Sequence, residues 1–423
     1  MIRTRIHPAW WVALTAFVAL IGSAGFRAAP GALFVPLHDE FGWSTSVMSA
    51  AVSINLVLYG LTAPFAAALM DRFGIRQVTS GALVLIALGS GLTVFMTESW
   101  QLLLTWGLLI GLGTGSMALV FAATDANRWF VRRRGLVMGI LTAGSATGQL
   151  IFLPPVAYLA ENVGWRTASL VIAVAALAVV PLVVITMADQ PADRGTTPYG
   201  APADHVEPPL ATGGAARRAV DALRSAARTR AFWALAAAFA ICGATTNGLI
   251  GIHFIPSAHD HGMSQTTAAG LLAAVGIFDI IGTVGSGYLT DRMDPRHLLV
   301  GYYAFRGLGL MLLPSLLSDS IHPSIVLFVV VYGLDWVATV PPTAALCREI
   351  FGEQGTIVFG WVFASHQLGA AAAALGAGIV RDTTGSYTLA WLGGAGLCAV
   401  AAVLSYVVRT PDVTTPSVQP AQM

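Results

Sequence analysis

Apolar runs of about 20 residues, the length at which an α-helix rising about 1.5 Å per residue crosses the hydrocarbon of a bilayer, recur from one end of this chain to the other. Lipid offers no partner for backbone N–H and C=O groups, so such a chain folds as helices or as a closed barrel. Barrel strands would show roughly ten-residue alternating segments. These runs are unalternated and rich in Ala, Leu, Val and Gly, which selects helices. Composition agrees: 56% of the 423 residues are apolar and 10% are charged, whereas a soluble domain carries about 25% charged residues.

The runs predict an all-α membrane protein with helices over 9–37, 44–70, 77–97, 100–126, 135–158, 165–187, 230–258, 265–290, 297–318, 322–347, 355–380 and 387–409. The apolar core of the first is too long for a cleaved secretory leader. Residues 189–229 are polar, and they form a linker between one half, 1–188, and a second, 230–423, with a short tail. Its end, Arg217 to Arg230, is either a short basic helix on an anionic leaflet or a solvated connection. Arginines at Arg3, Arg5, Arg72, Arg76, Arg132 to Arg134, Arg292, Arg296, Arg348 and Arg409 share one side, with Arg166 and Arg381 on the other. By the rule that basic loops stay inside, both termini are cytoplasmic, which requires an even number of crossings. All 22 basic residues are arginine, a usage typical of high-GC genomes that points to a bacterial inner membrane.

Sliding the chain along itself uncovers a repeat that keeps one constant offset throughout. Pro36 meets Pro256, Gly42 and Ser44 meet Gly262 and Ser264, and Asp71, Arg72 and Arg76 meet Asp291, Arg292 and Arg296. Gly135 meets Gly355 and Ser145 meets Ser365. This register predicts two six-helix bundles of one orientation, twelve transmembrane helices in all, related by an axis along the membrane normal, as in transporters that rock about a central site. An acid at a helix end beside arginines can make charge-assisted bonds to neighbouring helix ends. Asp71, Arg72, Arg76, Asp291, Arg292 and Arg296 are therefore expected to latch the bundles together in one state and part in the other. The alternative is that the arginines only set topology.

The loop Asp71-Arg72-Phe73-Gly74-Ile75-Arg76 and its copy from Asp291 to Arg296 resemble the loop after the second helix of major facilitator transporters. Gly42-Trp43-Ser44, Asn127-Arg128-Trp129-Phe130 with Arg132 to Gly135, and Gly333-Leu334-Asp335-Trp336 are similar to the monocarboxylate and oxalate:formate branch. The resemblance implies movement of a small organic anion, monocarboxylate-like, coupled to protons or exchanged for another anion, with no cofactor.

A charge at mid-bilayer costs several kcal/mol unless it is paired or faces water, and four such residues sit deep: Arg27, Asp279, Arg306 and Asp335. Asp279 lies roughly 16 Å and Arg306 roughly 14 Å from the inner ends of their helices, so they can be level. The planar, permanently charged fork of Arg306 suits a carboxylate; a static pair with Asp279 or Asp335 is its alternative. Arg27, beside Pro30 and Gly31, is the second anion candidate. Asp279 and Asp335 are candidates for the proton carrier, since desolvation favours a neutral carboxyl and a neighbouring arginine a charged one. Monocarboxylate carriers similarly place an acid in the eighth helix, but their arginine four residues later is Thr283 here. His366 and Gln367 could contact substrate or relay protons, and Asn55 and Gln149 could line a cavity or bond between helices.

Neither a nucleophile–base pair nor a metal-ligand spacing occurs, so catalysis is not expected. Cys242, Cys347 and Cys398 stand singly in apolar segments. The dispersed arginines form no face for nucleic acid, and the expected partners are a small anion, protons and lipid around a monomer. Proton-driven drug efflux on the same fold and a non-transporting sensor are the competing functions.

Overall fold

The computed structural model describes residues 7–202 and 214–408. Arg3, Arg5, the centre of the linker, Arg409 and the tail lie outside the described residues. The first half contains α1 (Pro8–Ala28), α2 (Pro30–Phe41), α3 (Thr45–Phe73), α4 (Ile75–Thr93), α5 (Ser99–Leu102), a π-helical stretch Leu103–Ile110, α6 (Gly111–Ser116), α7 (Leu119–Trp129), α8 (Arg134–Asn162) and α9 (Trp165–Thr186). In the linker, α10 (Ala215–Ala226) is helical. The second half runs through α11 (Arg230–Gly243), a π-helical stretch Ala244–Ile250, α12 (Gly251–Asp260), α13 (Gln265–Thr290), α14 (Pro295–Leu316), α15 (Pro323–Asp335), α16 (Val340–Phe351), α17 (Gly355–Thr384) and α18 (Thr388–Val407).

Among the described residues, ten helical stretches are long and apolar enough to cross a membrane. Large apolar side chains such as Val174, Ile185, Val284 and Val403 stand exposed on the outside, the position that lipid tails would cover. The interior is equally apolar, with Trp106, Trp129 and Phe121 buried in the first half and Phe254, Phe328 and Trp391 in the second.

Helix starts follow local chemistry. Ser44 caps α3 by accepting from Val47 N (3.4 Å), and Ser264 caps α13 by accepting from Thr267 N (3.1 Å), so the repeat-related serines do the same job at repeat-related positions. Gly74, at φ 86°, lets the chain turn from α3 into α4 within one residue. The membrane helices are interrupted in related places too: between Ser116 and Leu119 in the first half, and at the corresponding place in the second, between Asp335 and Val340. The second break has a plain cause, because Pro341 and Pro342 carry no N–H to close the preceding turn.

The linker is partly built into the fold. Tyr199 N donates to Trp129 O (2.8 Å), and Tyr199 O accepts from Val131 N and Arg132 N, while its ring packs on His7, Trp10 and Phe130. Of the two alternatives for the segment from Arg217, a helix is present, α10, which lays Ala219, Ala222 and Ala226 inward against α3 and α17. Trp361 Nε1 donates to Ala219 O across that contact (2.8 Å).

The halves meet along α3 and α17, α8 and α13, and α2 and α12. The end carrying Gly74 and the linker is termed inner, and the end carrying Ser44 and Ser264 outer.

Candidate functional site

Between the halves lies a cavity, partly open to solvent. Its walls are largely apolar, from Phe26, Val52, Leu56, Leu150, Leu153, Ile252, Leu272 and Val275. Into this setting project Arg27, Asn55, Tyr59 and Gln149 from the first half and Asn247, Asp279, Trp336 and Gln367 from the second. An apolar chamber with a few convergent polar groups is the usual form of a small-ligand site.

Arg27 stands in the last turn of α1, directly before the Pro30 interruption. Its guanidinium lies 4.9 Å from the Tyr59 ring centre, and Nη1 donates to the Tyr59 hydroxyl at 3.4 Å. Asn55 donates from Nδ2 to Trp106 O (2.8 Å), a carbonyl inside the first π-helical stretch. Asp279, 7% exposed, accepts on Oδ1 from Thr283 Oγ1 (2.9 Å) and from Val337 N (3.0 Å). That amide is released by the break between α15 and α16, so the carboxylate occupies a vacancy in another helix's ladder. Gln149 faces the chamber from α8, and Gln367 from α17 with its Oε1 unpartnered among the described residues.

Arg306 and Asp335 are placed beside the cavity and outside its lining. Arg306, 1% exposed, donates from Nε to Asp335 Oδ2 (2.6 Å), from Nη1 to Cys242 Sγ (2.9 Å), and from Nη2 to Asp335 O (2.7 Å) and Trp336 O (3.3 Å). The geometry is therefore the static pair with Asp335, extended to two carbonyls freed by the same helix break. Asp279 and Arg306 thus hold one interruption, the acid on its amide and the base on its carbonyls. His366 also lies off the lining, packed between the Phe239 and Phe363 rings at 4.9 and 5.8 Å.

Among the described residues, the bonds of the six loop residues stay within their own halves and the start of the linker, so the bridge expected in one state is not formed in this conformation. Asp71 pairs with Arg128 (2.5 Å), which also donates to Asp189 O (3.3 Å), while Arg76 N donates to Asp189 Oδ1 (3.0 Å). Arg72 lies over the Phe73 ring and Arg292 over the Tyr288 ring. Arg296 pairs with Asp294 and reaches Val408 O, and its bond holds the Asp294 carboxyl below the usual range. Asp291 closes α13 as its C-cap. With one glycine between α3 and α4, Asp71 is turned toward Arg128 of α7, in the same half.

Sequence reasoning passed over Tyr59 and Asn247, which look like ordinary membrane-helix residues, and took Trp336 and Arg128 only as parts of motifs, without a site role. Arg128 carried a signal, since Arg348 stands at its repeat-related position in the second half.

Known proteins supply the family. The Major Facilitator Superfamily model matches residues 13–374. The chain is 27% identical to an uncharacterized MFS-type transporter, YcxA, of Bacillus subtilis (strain 168), with 92% of each chain covered. It is 28% identical to monocarboxylate transporter 13 of Rattus norvegicus, covering 93% of this chain and 88% of the relative. Its fold resembles that of a bacterial homolog of the human lysosomal transporter Spinster, solved in an inward-facing and unoccupied conformation, with a TM-score of 0.68, 14% identity and 95% of each chain covered. Family members are carriers that perform no catalysis, and the match extends from the first membrane helix into the eleventh of the expected spans. The chain belongs to the Major Facilitator Superfamily and is a multi-pass membrane protein of the secondary-transport type.

Proposed function

We propose that this protein moves a small monocarboxylate-like anion by alternating access, coupled to a proton or to a counter-anion. The observation that carries the reading is one chamber between the halves whose apolar wall, among the described residues, is broken by a single arginine, Arg27, and a single carboxyl, Asp279, with Asn55, Gln149, Asn247 and Gln367 beside them. Arg27 with Tyr59 takes the carboxylate, the leucine and phenylalanine wall takes the organic part, and Asp279 carries the proton. The similarity to monocarboxylate transporters supports the substrate class. Arg306, Asp335 and His366 act from behind the chamber.

The fold implied is twelve crossings, counting Arg134–Asn162 as one and dividing the 62-residue stretch Pro323–Thr384 at Gly352. On this reading 1–188 and 230–423 are the two bundles, 189–229 the linker, and both termini face the cytoplasm of a bacterial cell. The loop residues from Asp71 to Arg76 and from Asp291 to Arg296 brace each inner rim through the cycle.

In proteoliposomes, Arg27→Gln is expected to abolish uptake of labelled monocarboxylates, with the protein still folded and inserted. Asp279→Asn is expected to retain downhill exchange and lose accumulation driven by a pH gradient. Wild-type rates for Arg27→Gln, or proton-driven accumulation by Asp279→Asn, would remove the respective assignment.

A further inference from the structure

Two carboxylates outside the chamber join the halves at the outer end, on two of the three seams between them. On one seam Glu161, in the last turn of α8, accepts from Gln265 N (3.2 Å), Thr266 N (3.0 Å) and Thr266 Oγ1 (2.6 Å) at the start of α13. On the other, Asp382, in the last turn of α17, accepts from Thr45 N (3.0 Å) and Ser46 N (2.8 Å) at the start of α3. In the register of the repeat Thr45 and Ser46 correspond to Gln265 and Thr266, and Asp382 corresponds to Asn162, the neighbour of Glu161. The same clamp is thus built twice, with the acids one position out of register.

A helix start leaves its first amides without partners and carries partial positive charge. In α3 and α13 the capping serine of each helix satisfies only the third amide, from Val47 and Thr267. The first two amides go to an acid from the opposite half. Capping that needed only local stability could have been supplied within each half; here each helix start is complete only while the halves touch. Arg381 pairs with Asp260 beside one clamp (2.8 Å), and His259 lies beside the other.

We propose that Glu161 and Asp382 are positioning residues of the outer gate: they hold it shut, and both must leave α13 and α3 for the chamber to face outward. The proposal rests on the alternating-access reading. It adds which bonds set the balance between the two faces.

The test uses the full-length protein in lipid nanodiscs, spin-labelled through cysteines at the exposed outer positions Val163 and Ser320, with the distance between halves read by pulsed electron resonance. Glu161→Ala and Asp382→Ala are each expected to raise the outer-open to outer-closed ratio about tenfold, the scale of a lost charge-assisted bond, and the double variant about a hundredfold. Glu161→Gln and Asp382→Asn keep an acceptor oxygen, so they fold where alanine fails and shift the ratio less. Two wild-type populations whose ratio the variants leave unchanged, even with a lowered melting temperature, would overturn the proposal and reduce the acids to helix caps. One outer distance in wild type and every variant would remove the alternating-access reading and the proposal with it.

Discussion

Arg306 and Asp335 are the most deeply buried charged pair described, at 1% and 4% exposure, and a pair in that position responds asymmetrically to substitution. Removing one member leaves the other charge uncompensated, at a cost of about 3–5 kcal/mol, whereas replacing both with apolar residues of similar volume is often near neutral. Here the double replacement also strands the carbonyls of Asp335 and Trp336 that Arg306 serves, so it is expected to cost about 1–3 kcal/mol. Arg306→Met alone should therefore lower the melting temperature of the purified protein more than Arg306→Met with Asp335→Leu. Equal losses would mean that the pair is not what makes the single change costly. That all four charged residues stand within apolar runs was legible in the sequence, because lipid makes any charge in such a run conspicuous. Which of them faces the chamber was not. A helix offers its charge either to a neighbour or to a cavity, and at level depth the same spacing serves both, so Arg27 and Asp279 could not be separated from Arg306 and Asp335.

Helices α11 and α17 cross where each presents a glycine to the other's backbone. A Cβ on Gly243 would meet the His366 carbonyl, and one on Gly369 the Ala240 carbonyl. Neither carbonyl can swing aside as a side-chain tip would, so Gly243→Ala is expected to push the helices apart and cost about 1–3 kcal/mol. Gly376→Ala, on the same α17 but facing open space, should be neutral or stabilising by about 0.5–1 kcal/mol through helix propensity. Melting temperatures of the two variants side by side check the contrast; a loss in both would trace the effect to the helix and not to the crossing. At this scale the sequence was informative about extent, since the expected spans and the helices differ by four residues or fewer at each end. It said less about interruptions. The gap before Val340 could be traced to Pro341 and Pro342, but the π-helical stretches Leu103–Ile110 and Ala244–Ile250 have no proline within them. In each a side chain from another helix bonds to a backbone carbonyl, Asn55 to Trp106 O and Tyr332 to Thr245 O.

On the scale of the whole molecule, the outer ends of α8 and α13 and of α17 and α3 are in contact, and the proposed transport by rocking requires those ends to separate in every cycle. The seam between α3 and α17 allows a direct test. A Cβ built on Gly378 would lie 3.0 Å from Ser49 Cβ, and a disulfide holds its Cβ atoms about 3.5–4.5 Å apart, so cysteines at these positions can join after a shift of roughly half an ångström. The native Cys242, Cys347 and Cys398 are buried and offer little competition for the oxidant. Ser49→Cys with Gly378→Cys is expected to transport while reduced, to stop when oxidised, and to recover when reductant is added to the same vesicles. Each single variant should be indifferent to oxidation, which separates the crosslink from damage elsewhere. Neither Ser49 nor Gly378 lines the chamber, so substrate binding measured from the inner side should survive oxidation although turnover does not. Binding lost together with transport would indicate a distorted chamber. Undiminished transport by the fully crosslinked protein would mean that solute crosses without parting this seam, and a rocking pair of bundles could not then be the mechanism.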